Sequence, residues 1–271
     1  MPQAFRLDDR AVIALSGPDA VSLLQGLVTN DVGRLPPGGA AYAALLTPQG
    51  KILFDFLIAA GEGTLLLDCA AERAEALVKR LTLYRLRAKV EIVRRDDLVV
   101  LASWDGAALP GHAFADPRLE VLGTRAIAAK TETSLPAGAD AYLAQRLDLG
   151  VPESADFGQD KMFALDADLD ELHGVAFDKG CYVGQELTAR MKHRGTARKR
   201  LLPIVSVDGS VLPAPDTAVI AGDKSIGEIV SSYGARGFAL IRLDRLEEAV
   251  ATTFSAEGKA VALGKPRWLF A

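Results

Sequence analysis

Three apolar runs, AAYAALL, ILFDFLIAA and TLLLD, follow one another from Ala40 to Asp68, with only TPQGK and GEG between them. Connections this short turn a chain back on itself but cannot carry the crossover that a parallel pair needs. The runs therefore read as an antiparallel meander joined by Gly- and Pro-containing turns.

What flanks the meander sets the fold class. Before it, the strand-like AVIAL leads into GPDAVSLLQGLV, where Ala20, Leu23, Leu24, Leu27 and Val28 share one helical face and Pro18 suits a first turn. After it, AAERAEALVKRLTLY repeats apolar positions at helical spacing, with Ala74, Leu77, Val78 and Leu81 inward, and feeds the strand KVEIV. Strand, helix, strands, helix, strand is an α+β order. From Leu98 to Lys130, LVVLAS and RAIAA alternate with loops rich in Gly, Pro and Asp, which fits further antiparallel sheet and not parallel βαβ units. Ala139 to Leu149 is helical, stopped by Gly150 with Pro152 beyond. After Arg200 the segments RLLPIVSV, TAVIA, SIGEIVSSY and FALIRL form the pattern of a small β-barrel or sandwich. A boundary near Gly195 divides the chain into an α+β region over 1–195 and a β-barrel over 196–271.

Composition removes several function classes. The 271 residues are 49% hydrophobic and 24% charged, an ordinary balance for a chain with a substantial core. With a net charge of -4, nothing in the bulk electrostatics points to nucleic acid or an anionic membrane as partner, neither of which is expected, and any basic function must be local. Cys69 and Cys181 are far apart with no CxxC, so neither a disulfide framework nor a zinc site is expected. His112, His173 and His193 are scattered, and no metal site is expected from them. The first residues lack a charged stretch followed by a sustained apolar one, and Asp8 and Asp9 are unlike a transit peptide. The apolar stretches are too short to span a bilayer. These features together read as a soluble cytoplasmic protein.

Chemistry concentrates in FDKGCYVGQELTARMKHRG, from Phe177 to Gly195. Gly180 and Gly184 open backbone conformations around Cys181 and admit a close approach. Lys179, Arg190, Lys192 and Arg194, with the N-terminus of a helix beginning near Gly184, favour a thiolate. The bland alternative is a small buried hydrophobe. Cys69, between a strand and a helix, reads as packing. Asn30 and Asp31 in TND are either site residues or ordinary turn chemistry. Asp55, in the apolar ILFDF, either faces solvent or is buried with a partner.

KGCYVGQE resembles the K-G-C-[YF]-x-G-Q-E signature of the YgfZ family, matching at Lys179, Gly180, Cys181, Tyr182, Gly184, Gln185 and Glu186. LLQGLVTNDV, LLTPQGKILFDF, QRLDLGVP and IGEIVSS are similar to other segments of that family. The resemblance implies the fold of the glycine-cleavage aminomethyltransferase, with tetrahydrofolate in a central cavity bounded by a C-terminal barrel. It also implies a folate-linked role in assembly or repair of iron–sulfur clusters in client enzymes. On this resemblance Cys181 and Lys179 are the reacting pair, and Asn30, Asp31, Asp55, Asp148, Tyr182, Gln185, Glu186 and Arg190 are folate-binding candidates.

Two departures argue against ordinary transferase chemistry. Where the aminomethyltransferases carry adjacent acids, this chain has Phe54 and Asp55, and their pterin-binding glutamate is here the shorter Asp148. A folate-dependent one-carbon transferase and a non-catalytic interaction module remain the alternatives. The run ARMKHRGTARKR suits an anionic ligand tail or an acidic partner protein, and its lack of interleaved aromatics disfavours RNA.

Overall fold

The computed structural model describes residues 3–195, 198–249 and 253–269. In chain order its elements are β1 (Phe5–Arg6), β2 (Arg10–Ser16), α1 (Ala20–Gln25), β3 (Ala40–Leu46), β4 (Ile52–Ala60), β5 (Thr64–Ala70), α2 (Ala74–Arg85) and β6 (Glu91–Arg94). There follow β7 (Leu98–Ser103), β8 (His112–Ala115), β9 (Thr124–Ala129), α3 (Ala139–Leu149), α4 (Ser154–Phe157) and α5 (Gln185–Arg194). The last part holds β10 (Lys199–Ser206), β11 (Ala218–Ala221), β12 (Lys224–Tyr233), β13 (Arg236–Arg242), α6 (Leu243–Glu248), β14 (Phe254–Ala256) and β15 (Lys259–Leu263).

The meander pairs as expected, and β2 then inserts beside β5 to give a five-stranded sheet of order β3-β4-β5-β2-β6. Its period-two pattern has a specific result, because both faces are covered. Ile13, Leu15, Phe54, Phe56, Ile58, Leu67 and Cys69 pack on one face against Leu24 of α1 and Leu77 and Leu81 of α2. Val12, Tyr42, Leu57 and Ala59 point the other way, into a central core shared with the second sheet, β1-β7-β9-β8, and with Leu201, Phe238 and Leu240 of the C-terminal strands. Those strands close as β10-β13-β12-β11-β14-β15, with β15 returning to β10, so no edge is left unpaired in the ring.

The helix after AVIAL ends earlier than its apolar face suggests. α1 stops at Gln25, and Leu27 and Val28 continue the same packing from a turn. α3 matches its expected bounds, with Gly150 in the left-handed region at φ 71°. Between α4 and α5 lies an irregular segment whose Ala164, Leu165, Ala167, Leu169 and Leu172 are buried in the central core. No helix among the described residues is long and apolar enough to cross a membrane.

Candidate functional site

The turn after α1 and the KGCYVGQE segment are fastened together. Lys179 donates its ammonium protons to the carbonyls of Gln25 (2.9 Å), Val28 (2.6 Å) and Asn30 (2.7 Å). A lysine ammonium has three donors, so none remains for the neighbouring thiol. Burial pushes this group down, to about 8, against the opposing pull of the Asp31 carboxylate. The Tyr182 ring lies beneath it, 5.1 Å from centroid to nitrogen. Asn30 donates from Nδ2 to the carbonyls of Tyr42 and His173, both at 2.7 Å, and accepts the Asp31 N–H on Oδ1. Asp31 Oδ1 accepts from Gln25 Nε2 and from the Arg34 N–H.

On the far side of Cys181 the segment is fixed again. The Tyr182 N–H donates to Gln185 Oε1 at 3.2 Å, and burial pushes the Tyr182 phenol up to about 12. Gly184 has φ 81°, and a Cβ there would stand 2.4 Å from the Thr47 carbonyl oxygen and 2.9 Å from Leu46 Cβ. Only glycine lets the backbone lie this close on the β3–β4 turn. Cys181 between these anchors is a free, exposed thiol, and a Cβ on Gly180 would meet nothing within 4 Å. Cys69 is buried, and burial pushes its thiol up to about 12, in keeping with a packing role.

A second constellation lies where both sheets meet the barrel. Asp55 projects from β4 on the face opposite Phe54 and Phe56 and is buried, accepting from the Tyr42 hydroxyl at 3.1 Å and from Ser154 Oγ. Burial raises its carboxyl above the usual range. Beside it, Arg10 pairs with Asp68 at 2.6 Å, Arg118 with Asp116 and Glu153 at 2.7 Å each, and Arg125 with Asp68 at 3.0 Å. Burial opposes ionisation of Glu153, but Arg10, Arg118, Arg146 and Arg125 hold its carboxyl far below the usual range. Arg146 pairs with Asp156 at 2.6 Å, and Asp156 accepts from Ser231 Oγ and the Tyr233 hydroxyl of β12, which ties the barrel to the network. A cavity of about 460 Å³ opens here, lined in part by Arg10, Tyr142, Arg146, Glu153, Ser154 and Tyr233.

The expected site residues thus divide. Lys179, Asn30, Asp31, Tyr182 and Gln185 build the thiol loop and its seat. Asp55 connects to the cavity through Ser154. Asp148 goes elsewhere: it is exposed and pairs with Arg236 of β13 in a separate cleft of about 280 Å³. It stands two residues from the inward-facing Arg146, about 200° around the helix. Glu186 and Arg190 pair with each other at 2.7 Å on the exposed face of α5. Of the basic run, Arg200 turns inward to Asp170 at 2.7 Å and Lys192 reaches the same acid at 3.3 Å. Arg118, Arg125 and Glu153 did not stand out in the sequence. Their available signal was a charge inside an apolar strand, as at Arg125 in RAIAA and Asp68 in TLLLD.

Likeness to known proteins agrees with this architecture. Residues 198–271 match the family described as CAF17, C-terminal beta-barrel domain. Aminomethyltransferase T of the glycine cleavage system from Bartonella henselae superposes with a TM-score of 0.78, covering 98% of this chain and 86% of its own at 16% identity, a likeness of fold alone. The iron–sulfur cluster assembly factor IBA57 of Homo sapiens, a mitochondrial protein, is 32% identical, with 97% of this chain and 84% of its own covered. The factor from Mus musculus gives the same figures. The Neurospora crassa homolog is also 32% identical, over 74% of this chain, which spans 53% of that relative's length.

These relatives correct the cytoplasmic expectation, because all are named as mitochondrial. Of the features behind that expectation, absent disulfide spacing and short apolar stretches hold equally for a protein of the mitochondrial interior, and the reading of Asp8 and Asp9 as unlike a transit peptide is overturned by the mitochondrial naming of these relatives. The KGCYVGQE resemblance to YgfZ pointed to the same iron–sulfur biology under another name. With about a third of its residues identical to the human factor along almost its whole length, the chain belongs to the IBA57 family, whose named members are iron–sulfur cluster assembly factors.

Proposed function

We propose that this chain is an iron–sulfur cluster assembly factor that presents Cys181 as its reacting thiol and holds a tetrahydrofolate in the cavity between the sheets and the barrel. The observation that carries the reading is the exposed Cys181 on a loop pinned on both sides, in a chain of the IBA57 family. A buried inert cysteine has no need of such a mount. Assembly factors or client enzymes of iron–sulfur chemistry are its partners. The division into 1–195 and 196–271 belongs to the same proposal, with residues 196–197 outside the described residues.

The cavity supports the folate part by size and chemistry. About 460 Å³ falls within the usual range of small-ligand sites. Tyr142 and Tyr233 offer apolar walls to a flat ring, and Asp9 and Asp140 at the lining offer carboxylates to the adjacent N–H donors of a pterin. Bound there, the folate would supply a one-carbon carrier. Because Asp68 and Glu153 hold Arg10, and Asp156 holds Arg146, both arginines that line the cavity among the described residues are already paired, and the transferase alternative gains no support from them.

Two measurements test the proposal. Cys181→Ser should change stability by no more than about 1 kcal/mol, as at other exposed positions, yet fail to restore iron–sulfur enzyme activity in cells lacking their own factor. A folded Cys181→Ser protein that restores full activity refutes the thiol role. Tetrahydrofolate should raise the melting temperature by mass action; no shift at millimolar ligand removes the folate part.

A further inference from the structure

The expected role of Lys179 was to activate the thiol two residues away, and its observed contacts assign it different work. One of its three protons ends on the carbonyl of Gln25, the last residue of α1, where helix geometry leaves carbonyls without intrahelical partners, and the other two on Val28 and Asn30 in the turn beyond. The ammonium therefore caps the last carbonyl of α1 from a distant part of the chain, at the helix end where a cation is favoured, and ties that end to the turn that follows. The opposite anchor is Gly184 on the Thr47 carbonyl, and the Tyr182 N–H to Gln185 contact lies between. Cys181 is the exposed side chain in the span so fixed.

We propose that Lys179 is the positioning residue for Cys181, holding the KGCYVGQE loop to the α1 turn so that the thiol is presented in one fixed place, with its ammonium protons on backbone oxygens and none on the sulfur. This rests on the reading of Cys181 as the reacting group. The geometry also states what a replacement must do. Three converging acceptors fit a tetrahedral ammonium, whereas the planar guanidinium of arginine directs its donors in a fork. Lys179→Arg should therefore behave as a loss and not as a conservative change.

The experiment uses the isolated full chain with Lys179→Ala and Lys179→Met, the latter keeping most of the stem against Tyr182. Amide hydrogen exchange at residues 27–31 and 180–184 should accelerate at least tenfold in both variants, while β4 and β5 keep their protection. The midpoint of the pH profile for Cys181 alkylation, followed by mass spectrometry, should stay where it is in the unaltered chain. Added ethylammonium should restore protection to Lys179→Ala, a rescue that a general loss of fold does not show. A raised alkylation midpoint would overturn the proposal in favour of direct thiolate activation. Unchanged exchange at 180–184 would overturn it by removing the anchor. Failure of both variants to fold would also overturn it, since the lysine would then determine the fold and not the loop. None of these readouts passes through cluster assembly, so a failure of the proposed function at Cys181→Ser would leave them standing.

Discussion

Glu153→Gln isolates the charge that balances the arginines around the cavity. Glutamine keeps the shape and the acceptor oxygen that serves the capping box of α4, so the helix start survives the change. What is lost is one negative charge facing Arg118 at 2.7 Å, Arg10 at 3.4 Å and Arg125 at 3.7 Å. Breaking a buried pair by removing one partner costs about 3–5 kcal/mol. Here Asp116 still holds Arg118, and Asp68 still holds Arg10 and Arg125, so the lower end applies, about 3 kcal/mol. Urea unfolding at pH 7 is the assay: with m of about 3 kcal/mol/M, the midpoint should fall by about 1 M at unchanged m. The sign with pH follows from linkage. Glu153 has its carboxyl depressed in the folded chain, so its contribution is complete above the unfolded value near 4.3 and is lost as pH falls below it. The penalty should therefore shrink on acidification. A loss under about 1 kcal/mol at pH 7, or one that stays constant down to pH 3, refutes the reasoning.

Two further outcomes follow from single positions. Gly184→Ala should destabilise by about 2–3 kcal/mol in thermal melting, from a left-handed backbone and a Cβ 2.4 Å from the Thr47 oxygen, while Gly180→Ala should stay within about 0.5 kcal/mol. Burial raises Asp166 from 3.8 to about 6, against the pull of Lys199 and Arg200, so the folded chain pays for ionising it as pH rises through that window. Asp166→Asn should then stabilise by up to about 3 kcal/mol above pH 6, with the gain disappearing below pH 4; equal stability of the two proteins at pH 7 would count against it.

The sheets and the barrel were legible because their signals are local. TPQGK and GEG force hairpins, period two marks the strands, and Gly150 and Gly184 mark a helix end and a helix start. β8, β14 and β15 were missed, being three to five residues long and carrying too little alternation to read. The segment between α4 and α5 was illegible for another reason. Its Asp168 and His173 adopt positive φ, and its order comes from burial between sheets and barrel, which no short window encodes.

The site was legible in the same uneven way. Lys179, Cys181, Tyr182 and Gln185 are adjacent in sequence, so a motif delivers them together. The cavity network draws Arg10, Asp68, Asp116, Arg118, Arg125 and Glu153 from separate elements, and only the fold brings them into contact. Asp148 marks the limit of carrying a role over by alignment: the segment was placed on the right helix, and its Arg146 does face the network. The next-but-one residue on a helix nevertheless looks the other way, and Asp148 meets Arg236 at the barrel surface. Thiol and cavity are consequently held by different bonds. The carbonyls of the α1 turn hold one, buried ion pairs hold the other, and Tyr42 links them, since its carbonyl accepts from Asn30 and its hydroxyl donates to Asp55. Removing the Tyr42 hydroxyl by Tyr42→Phe would cut that link while leaving Lys179 and Glu153 with all their partners.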